Sequence, residues 1–437
     1  MVILIDPQNC RVGGNSVWLR ARGVLWPAAG VLAAAILIVA YTLRAQPLPS
    51  LEAASLDGKV IVGYQGWFGC PGDKAETPTW RHWLNPDGSL AIDMLPDVSE
   101  LPEDGRCRSP FLRHADGSAV PLFSSRDPGS VARHFEWLRQ YGIHGAALQR
   151  FVKGLQDRRL HNEMDQVLAN VRSAAEANGR VFFVMYDISG AAQSDWARAL
   201  QQDWLRLIEE LQITKSKSYL HHKGKPVIGI WGWGFADRPG TPGAALMVLD
   251  FFHRSAAEDL EASVIGGVPT HWRQQAMPAA DGHSWREVYT RLDAISPWSV
   301  YAYTNETEAA RFSSTVMRPD LNFTEASKIS YMPVAFPGFS NRNLRGGRTQ
   351  FDAIPRECGR FMRSQIANAL NEGARMLYVA MFDELNEGTA IMKIAPHTSD
   401  IPPGAQLLAS DQGGCLEPND LYLRIAGEAA RVLSTRH

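Results

Sequence analysis

Eight short stretches of the chain are apolar along almost their whole length. They are Val60–Tyr64, Gly145–Gln149, Val181–Tyr186, Val227–Trp231, Ser263–Val268, Ala294–Trp298, Ile329–Val334 and Met376–Met381. A run without polar alternation marks a strand buried on both faces, as parallel sheets require. Amphipathic stretches separate the runs. Helices are predicted at Ser130–Tyr141, with Ser130 placed as its cap, and at 162–178, 195–211, 244–260, 359–372 and 419–434. Strands alternating with helices imply βαβ units, and eight such strands close a (β/α)8 TIM barrel. A doubly wound open sheet is the alternative. The first run, however, leads into Tyr64-Gln65-Gly66-Trp67-Phe68-Gly69, which is aromatic and not a Gly-rich phosphate turn. An α/β barrel over residues 58–437 is therefore the expected architecture.

The start of the chain follows another pattern. Residues 23–43 carry no charge, and Arg11, Arg20 and Arg22 precede them. Such a stretch can just span a bilayer. The positive flank puts residues 1–22 in the cytoplasm and the bulk of the chain outside. The segment reads as an uncleaved transmembrane anchor, with a cleaved secretory signal as the alternative, and residues 44–57 read as a linker. Both readings export the barrel to the periplasm or cell surface. Cys70, Cys107, Cys358 and Cys415 lie in the exported part. Four thiols in an oxidising compartment permit two disulfides, in any of three connectivities.

Composition narrows the function. A content of 45 % hydrophobic and 21 % charged residues describes a globular protein. The net charge of -2, with no basic stripe, gives no case for nucleic acid. No Cys/His cluster suggests a metal. His161 and Asp165 stand four apart on a predicted helix but lack a third ligand.

In TIM barrels the active site lies at the C-terminal ends of the strands, so the residues that end or follow each run are the candidates. After the first run come Tyr64, Gln65, Trp67 and Phe68, after the second Gln149 and Arg150, after the third Tyr186 and Asp187. The fourth supplies Trp231 and Trp233, the fifth His271 and Trp272, the sixth Trp298, and the seventh Phe336 and Phe339. The eighth supplies Asp383, Glu384 and Glu387. Flat rings beside hydrogen-bonding side chains suit sugars, which have apolar CH faces and hydroxyl edges. A single aromatic at a strand end is as readily explained by packing, so the set carries more weight than any member. Asp383 could cap a following helix. Glutamate caps poorly, and Glu384 and Glu387, three positions apart, can face the same side. Two neighbouring carboxylates disfavour double ionisation, so an acid and a base can coexist near neutral pH. Glycoside cleavage uses such a pair.

The segment Phe382-Asp383-Glu384-Leu385-Asn386-Glu387-Gly388-Thr389-Ala390-Ile391 resembles the FNEWHEGTxI segment of glycoside hydrolase family 99, the endo-α-mannosidases and endo-α-mannanases. More loosely it is similar to the family 71 α-1,3-glucanases. Tyr64-Gln65-Gly66-Trp67-Phe68 and Tyr186-Asp187-Ile188-Ser189-Gly190 also resemble that broader group. The resemblance implies a (β/α)8 retaining α-glycosidase that needs no cofactor. It implies Glu384 as the base toward the 2-hydroxyl of the sugar and Glu387 as general acid/base, through a 1,2-anhydro sugar. Three positions depart from the family. Leu385 and Asn386 stand where it has Trp and His, and Met392-Lys393 where it has an acidic residue. These positions are expected to shape the sugar pocket, so the resemblance leaves the sugar open.

The expectation is an exported glycoside hydrolase acting on a polysaccharide or glycan, with the other rim residues binding substrate. Its rivals are a barrel that binds carbohydrate without cleaving it, and a hydrolase of another bond, for which no metal cluster or nucleophile–base pair is evident.

Overall fold

The parallel sheet is built in chain order from β1 (Val60–Tyr64), β4 (Gly145–Phe151), β5 (Val181–Asp187), β7 (Lys225–Trp231), β8 (Ser263–Val268), β9 (Ala294–Pro297), β10 (Ser330–Tyr331), β11 (Val334–Ala335) and β12 (Leu377–Val379). An antiparallel hairpin, β2 (Arg106–Arg113) and β3 (Ala119–Phe123), interrupts the series after β1, and β6 (His221–His222) precedes β7. The computed structural model describes residues 51–73, 78–254, 258–274 and 284–436. From Ser50 onward the chain forms one compact unit.

The eight apolar runs all lie in this sheet, and one of them is divided. Pro333 has no N–H to donate, and the seventh run splits around Met332-Pro333 into β10 and β11. The two halves pair with different neighbours. Met332 N donates to Ile295 O at 2.8 Å, whereas Tyr378 N donates to Pro333 O and Ala380 N to Ala335 O, at 2.9 and 3.0 Å. One six-residue segment thus bonds to β9 at its start and to β12 at its end. The sheet curls into an α/β TIM-like fold.

The helices that cover it are α1 (Pro128–Tyr141), α2 (Arg158–Asn178), α3 (Trp196–Glu209), α4 (Pro242–His253), α5 (Trp285–Thr290), α6 (Glu306–Phe312), α7 (Arg318–Ala326), α8 (Arg360–Asn371) and α9 (Leu421–Thr435). Their ends follow local chemistry. The cap of α1 is Asp127, not Ser130: its carboxylate accepts from Ser130 N at 2.6 Å. Gly142, at φ 79°, ends that helix in the left-handed conformation that glycine adopts freely. Asp157 caps α2 through the N–H groups of Arg159 and Leu160.

The long connection between β1 and α1 was not anticipated. It is tied by a Cys70–Cys107 disulfide, whose Cα atoms are 6.3 Å apart, and its Phe68, Trp83 and Phe123 are fully buried. Cys358 and Cys415 are not bonded. Residues 53–57 are held against the barrel. Leu56 is buried, and His221 N donates to Ala53 O at 2.6 Å. The apolar segment 23–43, with its basic flank, lies outside the described residues. Among the described residues no helix is long and apolar enough to cross a membrane.

Candidate active site

Three carboxylates follow β12, and the loop after β1 meets them. Asp383 is fully buried. Its Oδ1 accepts from Gln65 N at 2.7 Å and its Oδ2 from Gly66 N at 2.9 Å. Burial outweighs these two bonds and pushes its pKa up to about 6. Glu384 Oε1 accepts from Gln65 Nε2 at 2.6 Å, and its Oε2 from Thr389 Oγ1 at 2.9 Å. Burial, then the charge of Glu387, raises the pKa of Glu384 well above the usual carboxylate range. Burial raises Glu387 as well, while Arg345 and Arg238 oppose the rise.

The backbone of Glu387 is fixed from the side. Ser340 N donates to Glu387 O at 2.9 Å. The two chains run so close that a Cβ on Gly388, whose φ is +66°, would sit 2.7 Å from Ser340 N, so both space and backbone require glycine there. The Ser340 loop is itself held by fully buried Asp93, which accepts from Ser340 Oγ, Arg342 N and Asn343 N at 2.5, 2.8 and 2.8 Å.

Below the carboxylates the barrel interior is filled by Tyr378. Gln149 Nε2 donates to its Oη at 3.1 Å. Gly63 makes room for that hydroxyl, which a Cβ there would approach to 2.2 Å. Asp187 ends β5 and accepts from Ser189 N at 2.7 Å, and burial raises its pKa. On one side of the rim Trp67 stacks between His82 and Phe151, with ring centroids 4.2 and 5.5 Å away. Burial, then Arg81, pushes the His82 imidazole down to about 3, so it stacks as the neutral ring. A cavity of about 450 Å³ opens beside this stack, lined among others by Gln65, Trp67, His82, Gln149, Phe151 and Lys153. Its volume suits a small-molecule site. On the other side Trp231 meets Trp298 edge-on at 5.5 Å, and Arg238 lies 5.2 Å from the Trp231 ring centroid. Gln65 Oε1, Trp67 Nε1 and Trp231 Nε1 are buried without a hydrogen-bond partner. Buried polar groups of this kind are ordinarily satisfied, and Gln65 and Trp67 also line the cavity.

Several expected rim residues are directed elsewhere. Alternation along a strand sends Gln149 inward and Arg150 outward. Arg150 pairs with Asp203 through Nε and Nη2 at 2.5 and 2.7 Å, and Tyr186 Oη donates to Asp203 at 2.6 Å. His161 joins the same carboxylate at 2.9 Å, and Asp165 binds Arg150, so this pair belongs to an ion network. Tyr64 turns to α1, its Oη 2.9 Å from His134 Nδ1. Trp272 is buried and donates Nε1 to Asp320 at 2.9 Å, while His271 is exposed. Trp233 is fully buried, its Nε1 without a partner. Phe68 packs on Trp83 and Phe336 on Phe361, whereas Phe339 meets the exposed Tyr301. Among the described residues no three metal-ligating side chains converge.

The positions that depart from the family pattern are buried or make contacts away from the cavity wall, and Asn386 reaches the cavity through the His82 loop. Leu385 and Met392 are buried in the core. Asn386 Nδ2 donates to His82 O and Ala91 O at 2.8 and 2.7 Å, latching the loop that carries His82. Lys393 pairs with Glu100 and lies 5.2 Å from the Trp137 ring. Tyr378, Arg238 and Arg345 were not among the expected site residues, and Thr389 entered only within the resembling segment. A tyrosine in an apolar strand was a usable signal for the first. The arginines sit in loops that carry no pattern.

These observations define an α/β TIM-like fold with a cluster of buried carboxylates at its strand ends. Among solved structures with this fold is the family 99 endo-α-mannosidase of Bacteroides thetaiotaomicron. It superposes with a TM-score of 0.61 at 14 % identity, over 87 % of this chain and 99 % of that one. A glycoside hydrolase-like protein superposes with a TM-score of 0.52, also at 14 % identity, over 88 % and 97 % of the two chains. No protein-family model and no curated relative matches the chain in sequence.

Proposed function

We propose that the protein is a glycoside hydrolase cleaving α-linked glycans or polysaccharides. The observation that carries this reading is the group Asp383, Glu384 and Glu387, all buried or half-buried and all with raised pKa values. Perturbed carboxylates gathered at strand ends are an ordinary setting of acid–base catalysis, and Gln65, which binds Glu384, also lines the neighbouring cavity. The aromatic walls and unpartnered polar atoms around them suit a sugar, and the likeness to the mannosidase fold is consistent with this reading.

The mechanism retains anomeric configuration through a 1,2-anhydro sugar. Glu384 takes the proton of the 2-hydroxyl, whose oxygen attacks the anomeric carbon. Glu387 protonates the departing glycosidic oxygen. Glu387 then takes a proton from water, the water oxygen attacks the anomeric carbon, and Glu384 returns its proton to O2 as the anhydro ring opens. Gln65 and Thr389 hold Glu384, while Asp383, bound to two backbone N–H groups, positions the Gln65 segment. Residues 23–43 anchor the enzyme, which works outside the cytoplasm on a surface or extracellular glycan.

The test is reducing-end release from a panel of α-linked polysaccharides by the purified protein. Cleavage of one or more polymers, abolished in Glu387→Gln, is the expected result. Tight oligosaccharide binding with no release of reducing ends would favour a carbohydrate-binding barrel instead.

A further inference from the structure

The cavity beside Gln65 has two ends of different chemistry. Leu148 and Gln149 are neighbours on β4 and face opposite sides of the sheet, yet both line it. It therefore reaches from the barrel mouth, past the end of β1, into the layer between the sheet and α2. At the outer end Gln65 donates to Glu384 and Gln149 to Tyr378. At the inner end the wall is Leu148 with Leu160, Met164 and Val167, which share one face of α2 at helical spacing.

Two glycines keep the inner end clear. Gly66 N donates to Asp383, and a Cβ on Gly66 would lie 2.8 Å from Val167 Cγ1 and 3.3 Å from Leu148 Cδ1. A Cβ on Gly154 would lie 3.2 Å from Met164 Cε. Further along the same helix face Val171 and Ala175 are fully buried, whereas Leu160 and Met164 are half-buried where the cavity opens. Protein interiors are close-packed with few voids larger than a water, so an opening of about 450 Å³ with aliphatic walls at one end is a place for a ligand. The guanidinium groups that also line it need no anion from that ligand. Arg81 and Arg126 pair with Glu163 at 2.7 and 2.9 Å, and Arg126 with Asp73 at 2.6 Å.

We infer that the inner end takes an apolar substituent of the substrate, an alkyl, aryl or acyl group carried by the glycan, while the sugar that bears it lies at the Gln65 and Gln149 end beside Glu384. The inference rests on the glycosidase reading for its link to cleavage. The proposed reaction needs the 2-hydroxyl of the cleaved sugar free, so the group is attached elsewhere. It is either an ester on another oxygen of the glycan or the group that leaves with the glycosidic oxygen. Both sources present the same chemistry: hydrocarbon that leaves water for the side chains of Leu148, Leu160, Met164 and Val167.

The experiment measures binding of methyl, propyl, butyl and hexyl α-glucosides and α-mannosides to Glu387→Gln by calorimetry. In parallel it follows cleavage of an acylated α-glucan and of its saponified form by the wild-type protein. Affinity should rise about three- to fourfold for each methylene that enters the cavity, with a negative heat-capacity change and little response to salt. Leu160→Trp, which fills the inner end, and Met164→Gln, which makes it polar, should each flatten the series, with thermal unfolding confirming that each folds. Faster cleavage of the acylated polymer, with a rising glycoside series, identifies an ester as the source. Equal cleavage of the two polymers with a rising series identifies the leaving group. Affinity that does not change along the series, or binding of no glycoside, overturns the inference. So does a rise that persists in both variants. A flat series with polymer cleavage overturns the inference and leaves the glycosidase reading standing. A rising series with no cleavage of any substrate supports the apolar site and removes the glycosidase reading.

Discussion

Two of the buried carboxylate groups among the described residues make a contrast: a cavity of about 450 Å³ borders the first at Asp203, and one of the same size lies beside the second at Gln65. In the first, Asp203 is met by both arms of Arg150, by His161 and by Tyr186. Burial alone would raise its pKa, yet these partners hold it well below the usual carboxylate range. In the second, Asp383 and Glu384 accept hydrogen bonds and Glu387 faces two opposing arginines, and all three remain raised. A cavity and buried acids are common to both, so neither marks function. Charge compensation separates them. A buried carboxylate matched by a bidentate guanidinium is part of the framework, whereas a group of them left partly uncompensated at strand ends can serve a reaction. A raised pKa alone does not decide, since burial also raises Asp93, which pins the Ser340 loop.

The largest effect that would break this comparison is catalytic. Glu387→Gln and Glu384→Gln should each lower cleavage by about 10² to 10⁴, while the unfolding midpoint stays level or rises because a repelling charge is gone. Reducing-end assays and thermal melts on the same preparations check both halves. The compensated cluster should behave in the reverse way. Arg150→Met leaves Asp203 buried without its main partner and should cost about 3–5 kcal/mol in urea unfolding. Adding Asp203→Asn should recover part of that loss, and activity per folded molecule should change little.

The pH dependence sharpens the contrast. Burial pushes the Asp383 carboxyl up to about 6 in the folded protein, from an ordinary 3.8. Between these values the native state binds more protons than the unfolded one, so this group's contribution to stability falls as pH rises through the window. Relative to Asp383→Asn, the wild type should lose about 2–3 kcal/mol between pH below 4 and pH above 6, measured by parallel denaturant titrations. A smaller effect comes from Gly388→Ala. The positive φ and the close approach of Ser340 N should make it about 1–2 kcal/mol less stable, and activity should fall further than stability because the Glu387 backbone is displaced.

Much of this was legible in the chain, for physical reasons. The eight buried runs announced themselves because strands covered on both faces cannot alternate, and their order predicted which loops carry the site. Glu384 and Glu387 stood out because few stability arguments place two glutamates after a buried strand. Arg150 and Tyr186 were assigned to the rim because strand position was counted and facing was not. They occupy paired positions on β4 and β5 and point together to Asp203. Trp272 is explained by Asp320, 48 residues away, and Asn386 by a loop three hundred positions earlier. Partners at such separations leave no local pattern. Arg238 and Arg345 were invisible for the same reason: only the fold brings them to Glu387.

The most direct measurement is the ionisation of the two clusters in one protein, followed by carboxyl carbon NMR with labelled Asp and Glu, resonances assigned by the Asn and Gln variants. The account predicts that Asp383, Glu384 and Glu387 take up protons above the ordinary carboxylate range while Asp203 stays ionised throughout. Titration of all four carboxyls at ordinary values would contradict it.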